Sequence, residues 1–107
     1  MNLFHGSNEN SDFSAHRGVC LTDSKLSAEE YGANVFPVSF DLSGLTVLNV
    51  TDLVDRDNMS WPGDRASDIA AYEAQGIDVL FFSDETSMGR EHDTWRIVSA
   101  KALLVLA

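Results

Sequence analysis

The sequence is poor in cysteine, proline and basic residues, and these shortages exclude several kinds of protein. One cysteine, Cys20, stands among 107 residues, so no disulfide can form within the chain, which fits a reducing cytoplasm. There are 7 lysines and arginines against 17 aspartates and glutamates, a net charge of -10. That field repels nucleic-acid phosphates, so direct nucleic-acid binding is not expected. A basic partner, or a small anion held in a locally positive pocket, is compatible with it.

Long apolar runs are also missing. Runs such as 79–82 and 102–107 are too short to cross a bilayer. The first residues do not pair a basic patch with an apolar stretch, which is the pattern of a signal peptide. We therefore expect a cytoplasmic, soluble protein with no membrane partner.

The composition is that of a folded domain, with 44% hydrophobic and 9% aromatic residues. The length predicts one domain over 1–107. The patterns favour an α+β fold of about six short strands with two or three helices. Strands are predicted at 3–7, 19–22, 35–42, 45–50, 77–83, 95–98 and 103–106, a helix at 64–75, an irregular segment at 51–63 and a charged loop at 84–93.

A first helix is predicted by its cap signals. Ser27 and Glu30 have the spacing of a capping box, and Asp23 or Ser24 offers an alternative cap one turn earlier. Gly32 is expected to end this helix. In the strand that follows, Pro37 cannot donate a ladder hydrogen bond, which predicts either an edge strand or the beginning of a strand.

Three places carry residues suited to chemistry. The first is His5-Gly6, where the absence of a side chain at the glycine would let a planar ligand approach the main chain. The second is Thr22 with Tyr31, and the third is the acidic pair Glu91 and Asp93. Each has a structural alternative: a surface histidine at a turn, a cap or packing residue, or a solvated loop. No paired ligand motif indicates a metal site.

Together and in order, these motifs resemble the ADP-ribosyltransferase fold. The run Leu3-Phe4-His5-Gly6-Ser7 is similar to that family's first motif, as it is in small phage-type members such as anti-CRISPR ADP-ribosyltransferases. The run 18–23, followed by Ala28 and Tyr31-Gly32, is similar to the second. Residues 76–82 and 90–93 lie where the third is expected. The resemblance covers nearly the whole chain and implies a split β-sheet.

The resemblance implies roles for these residues, with NAD as the substrate. His5 would hydrogen-bond a ribose hydroxyl, and the Gly6 main chain would pair with the nicotinamide amide. Tyr31 would stack on the nicotinamide ring. Ser7 and Thr22 belong to the same binding motifs and complete the NAD site.

The acidic residue departs from the family pattern. The usual glutamate immediately precedes an aromatic and apolar strand, and here Thr94 stands directly before Trp95. The catalytic carboxylate is then Glu91 or Asp93, with Glu91 narrowly favoured. It would stabilise the oxocarbenium-like ribose as nicotinamide leaves.

Two functions follow as expectations. The first is an NAD-dependent mono-ADP-ribosyltransferase that modifies a protein target, as a phage-encoded inhibitor would. The second is an acidic, non-catalytic protein that inhibits a basic or nucleic-acid-binding partner by occupancy, which the net charge of -10 favours.

Overall fold

Six strands form one mixed sheet in this computed structural model, which describes residues 2–7, 18–30, 32–85 and 91–106. The strands are β1 (Asn2–Ser7), β2 (Cys20–Thr22), β3 (Asn34–Ser39), β4 (Val47–Asn49), β5 (Val79–Glu85) and β6 (Glu91–Ile97). The helices are α1 (Lys25–Glu29), α2 (Ala66–Ala74) and α3 (Ala100–Leu106), with a 3-10 turn at Thr51–Leu53. The predicted α+β class is confirmed. Within the described ranges no helix is long and apolar enough to cross a membrane.

The sheet order is β3-β1-β2-β6-β5-β4, and every neighbouring pair is antiparallel except β4 with β5. β3 therefore lies at one edge, which is one of the two placements that Pro37 predicted. In the centre, Leu21 lies opposite Trp95 and Thr22 lies opposite Thr94. Since directly opposed residues share a face and successive residues alternate, this register fixes which side chains point to each side.

One face of the sheet carries the main core. Leu3, Leu21, Val79 and Ile97 alternate onto this face, where each is at most 2% exposed. Phe40, just past the end of β3, is fully buried against them. Burial of such side chains is worth about 1.5–3 kcal/mol each, so this face supplies most of the fold's stability.

The other face is only partly covered. Leu80 and Phe82 of β5 pack there with Val50 and Val98, and side chains from α2 and the 54–61 segment close over them. Ile69 and Tyr72 are the contacts from α2. Farther along the same face, over β2 and β6, a cleft remains.

The predicted last strand, 103–106, is wrong: these residues lie in α3. Short apolar runs do not distinguish a strand from a helix, and a buried cap decides the outcome here. Ser99 Oγ accepts a hydrogen bond from Ala102 N at 3.0 Å and donates one to Asp78 Oδ1 at 2.6 Å. Asp78 in turn accepts from Thr46 N at 2.8 Å, which ties α3 to β4 and β5.

The start of α1 is also one turn earlier than the capping box predicted. Ser24 is the N-cap, and its Oγ accepts a hydrogen bond from Ser27 N at 3.2 Å. Ser27 lies inside the helix and is fully buried, so it packs rather than caps. The helix ends at Glu29, before Gly32, and Tyr31 lies outside the described residues.

The predicted charged loop at 84–93 is largely strand. Asp84 and Glu85 continue β5, while Glu91 and Asp93 begin β6. Their charges sit in a regular antiparallel ladder, with Glu85 opposite Glu91. The segment predicted to be irregular holds the 3-10 turn and an isolated bridge between Asp55 and Ser60.

Candidate functional site

A cleft of about 380 Å³ lies on the sheet face opposite the main core. Its floor comes from four neighbouring strands, since β1 contributes Gly6, β2 contributes Thr22, β6 contributes Thr94 and β5 contributes Phe82. Trp61, from the segment before α2, also lines it. Each residue reaches the cleft because strand alternation turns it away from the core face.

Gly6 is needed for the close packing of α1 on β1. A Cβ at this position would lie 1.8 Å from the carbonyl oxygen of Ala28, a distance that no side chain can tolerate. The helix therefore lies directly on the strand, and Glu30, the residue that caps its C-terminal end, reaches the cleft. The sequence predicted open space for a ligand at Gly6; the structure fills that space with backbone.

Thr22 and Thr94 face each other at the centre of the floor and are only 4% and 5% exposed. Thr22 Oγ1 accepts a weak hydrogen bond from Ser24 N at 3.4 Å, which links the floor to the cap of α1. The Thr94 hydroxyl has no hydrogen-bond partner among the described residues. Because Thr94 lines the cleft, a polar group of a ligand there would supply that partner.

Arg96 fixes one wall of the cleft. Its Nη1 donates to Asp64 Oδ1 at 3.0 Å and to the carbonyl oxygen of Pro62, which ties the 61–64 segment to β6. Its Nε contacts the Cys20 sulfur at 3.1 Å, and its Cζ lies 6.0 Å from the centroid of the Phe82 ring. The guanidinium is thus both stacked and paired with a carboxylate.

Cys20 lines the cleft without the chemistry of a nucleophile. Burial raises the pKa of its thiol, and the nearby Arg96 guanidinium only partly offsets that effect. The thiolate is the reactive form, so a thiol with a raised pKa is inert near neutral pH.

Carboxylates line the rim. Asp84 is half-buried on β5, two residues beyond Phe82 and on the same face. Glu85 forms a partly exposed ion pair with Arg56 at 2.5 Å, and its main-chain N–H donates to Asp84 Oδ1 at 2.8 Å. The cleft therefore has an apolar floor with hydroxyl groups and a negatively charged rim.

The predicted acids Glu91 and Asp93 lie in a neighbouring pocket of about 310 Å³. They alternate onto the sheet face opposite Thr94, and Asp84 and Glu85 lie at the boundary between the two cavities. Asp93 Oδ1 accepts a hydrogen bond from Ser83 Oγ at 2.9 Å. Neither predicted acid lines the floor of the cleft.

His5 also points away from the cleft. Its Nδ1 lies 2.9 Å from the carbonyl oxygen of Cys20, which can only accept, so the ring nitrogen carries the hydrogen. Its ring stacks on Phe36 with centroids 6.4 Å apart. The structure thus brings Gly6 and Thr22 together at the cleft and leaves His5 on the other side. Tyr31 and the Ser7 side chain lie outside the described residues.

Sequence reasoning missed Trp61, Asp84 and Arg96 as cleft residues. Asp84 could have been found by extending the alternation of the buried strand beyond Phe82. Trp61 and Arg96 gave no comparable signal, because a loop tryptophan and a single strand arginine are common surface features. In the folded chain Arg96 contacts the 61–64 segment, and only this contact shows that Trp61 and Arg96 belong to one site.

The described residues contain no group of three or more histidine, cysteine or acidic side chains able to hold a metal ion. Compared with protein-family models, curated proteins and solved structures, the chain matches none. What the site can do must therefore be argued from its own residues.

Proposed function

We propose that the chain is an NAD-dependent mono-ADP-ribosyltransferase that binds NAD in the sheet-face cleft. One observation carries the proposal: a residue from each of the first two motifs, and the strand position at which the resemblance expects the acid, line the same cleft. Gly6 comes from the first motif, Thr22 from the second, and Thr94 occupies the position just before the aromatic strand where the resemblance expects the acid.

The size and lining of the cleft suit the nicotinamide half of NAD. Small-molecule sites range over about 300–1,000 Å³, and the volume of about 380 Å³ is at the low end. Trp61 is half-buried in the lining, so its indole offers an aromatic surface to a flat ring. The Thr94 hydroxyl offers a polar contact for a carboxamide or ribose hydroxyl.

The reaction breaks the glycosidic bond between the ribose carbon and the nicotinamide nitrogen. The bonding electron pair leaves with nicotinamide, which departs as a neutral molecule, and the ribose carbon becomes cationic. A nucleophilic group of the target protein attacks that carbon and releases one proton. Carboxylates at the rim stabilise the cation more than they stabilise the neutral ribose, which is the condition for catalysis.

The test is nicotinamide release by the purified protein, with and without a candidate target, followed by mass spectrometry of the target. Thr94→Trp, which fills the cleft, should abolish release. Thr46→Trp, which adds the same ring at an exposed position, should leave it intact. Absence of both NAD binding and nicotinamide release in the wild-type protein would refute the proposal.

A second candidate function is inhibition of a basic partner by occupancy. The charge of the rim favours it: Glu30, Asp64, Asp84 and Glu85 line the cleft against one arginine, Arg96, which is already paired with Asp64. An excess of negative charge in a concave site attracts cationic groups at long range.

Stoichiometry and salt dependence separate the two functions. Occupancy requires one inhibitor for each partner, weakens as salt screens the attraction, and ends when the inhibitor is removed. Catalysis inactivates many targets for each protein molecule, requires NAD, and leaves the target modified afterwards. The same inhibition assay therefore measures both.

A further inference from the structure

The cleft contains a carboxylate that none of the predicted motifs includes. We infer that Asp84 is the catalytic carboxylate, which contacts the ribose of NAD and stabilises its cationic transition state. This inference rests on the proposed function, and it replaces Glu91 and Asp93 with a residue on the neighbouring strand. The acid would then have moved from β6 to β5.

Strand register places Asp84 on the correct face. Phe82 lies opposite Thr94, and Asp84 lies opposite His92, two residues from Thr94 along β6. Residues two apart on a strand share a face, so the Asp84 side chain lies on the side of the floor. Glu91 and Asp93 alternate onto the other side by the same rule.

Asp84 differs from the rim carboxylates Asp64 and Glu85 in its contacts with neighbouring cations. Asp64 is paired with Arg96 and also accepts a hydrogen bond from Trp61 N at 2.7 Å. Glu85 is paired with Arg56. Within the described residues, Asp84 has one hydrogen bond, from Glu85 N, and no ion pair. Its charge is therefore less neutralised by fixed cations than the charges of Asp64 and Glu85, and it is half-buried, where that charge acts more strongly.

The Thr94 hydroxyl gives independent support for a ligand beside Asp84. Thr94 as a whole residue is 5% exposed, lines the same cleft, and its hydroxyl has no hydrogen-bond partner in the described part of the chain. A ribose is rich in hydroxyl groups that both donate and accept. One such group could bond Thr94 while the ring carbon lies toward Asp84, so the two residues define opposite ends of one sugar site.

The chemical step assigned to Asp84 is electrostatic, followed by proton acceptance. As the carbon–nitrogen bond breaks, its electron pair goes to the nicotinamide nitrogen and positive charge develops on the ribose ring. The Asp84 carboxylate stabilises that charge. When the target's nucleophile forms the new bond to the ribose carbon, its proton passes to the carboxylate and then to water.

The experiment compares three single variants in nicotinamide release and in NAD binding. Asp84→Asn should lower kcat by about 10²–10³-fold, as removal of one electrostatic stabiliser does, while KM changes much less. Asp93→Asn is the competing variant. Asp68→Asn, the same change at an exposed position of α2, is the matched control and should keep wild-type rates. Thermal unfolding confirms that each variant folds.

The possible outcomes are distinct. An Asp84→Asn protein with an unchanged kcat, or a loss confined to Asp93→Asn, overturns the assignment of Asp84 while the proposed function stands. A wild-type protein that releases no nicotinamide overturns the proposed function and the role of Asp84 with it. If Asp84→Asn does not fold, Asp84→Glu decides, because it keeps the charge and should retain more activity than Asp84→Ala.

Discussion

The two faces of the sheet are built from the same strands and differ in almost everything else. Leu21 on the core face is fully buried among apolar side chains, whereas its neighbours Cys20 and Thr22 line a cleft with polar and charged groups. The centre of the core face is filled by the apolar side chains of the main core. The cleft face is incompletely filled and carries polar groups. A single step along each strand thus separates the main core from the lining of the cleft.

The largest expected loss of stability comes from a substitution on the core face. Leu21→Ala removes a fully buried side chain from the main core, and should lower the free energy of unfolding by about 2–5 kcal/mol. Cys20→Ala, one residue away on the cleft face, should cost less than about 1.5 kcal/mol, because it loses little apolar packing. Urea denaturation measures both. Equal losses would contradict the division of roles.

A smaller effect tests how α1 shapes the cleft. Gly6→Ala places a methyl group against the Ala28 carbonyl, so the helix must shift, at a cost of about 1–3 kcal/mol. Thermal unfolding should show the loss, and NAD binding should weaken as the cleft deforms. Ser39→Ala, on an exposed position of β3, is the control and should change stability by under about 0.5 kcal/mol. A wild-type melting curve for Gly6→Ala would refute this packing.

A pH-dependent effect is expected at Asp78, which joins β5 to α3. Hydrogen bonds from the Ser99 hydroxyl and from Thr46 N lower the pKa of Asp78. A carboxyl with a lowered folded-state pKa stabilises the fold above its unfolded pKa of about 3.9 and loses that contribution as pH falls through the folded value. Stability should therefore fall more steeply with acid in wild type than in Asp78→Asn. Parallel pH profiles would contradict this, and Asp68→Asn serves as the control.

The smallest expected change in stability comes from comparing the hydroxyl groups of two buried residues, Thr94 and Ser99. Thr94→Val removes a hydroxyl with no partner in the described residues, so stability should be unchanged or should rise by up to about 1 kcal/mol. Ser99→Ala removes a hydroxyl that bonds Asp78 and caps α3, and should cost about 1–3 kcal/mol. Denaturation of the two variants side by side measures the difference. A large destabilisation by Thr94→Val would mean that the hydroxyl is structural.

Much of the fold could be predicted from local patterns. The apolar run after Gly76 predicted the buried strand β5, and Pro37 indicated an edge or the beginning of a strand, because both signals depend on residues close in sequence. The helix α3 could not be predicted this way, since its cap depends on Asp78, which lies 21 residues before Ser99. Likewise, the capping-box pattern favoured Ser27 as the N-cap of α1, and Ser24 was only an alternative.

The candidate site was less predictable than the fold. Gly6 and Thr22 were chosen from motifs and do line the cleft. The face of the sheet on which His5 lies, however, depends on how β1 is aligned with β2 and β3. Asp84 was assigned to a loop, and a loop residue has no defined face. Once β5 extends to Glu85, the alternation from Phe82 settles where Asp84 points.

Both margins of the sheet resist the addition of a foreign strand. β3 contains Pro37, which has no N–H to offer, and β4 at the opposite margin is only three residues long. A target protein is therefore expected to meet this molecule through side chains around the cleft rather than by extending the ladder. Recognition of that kind can be altered one residue at a time without disturbing the backbone of either protein.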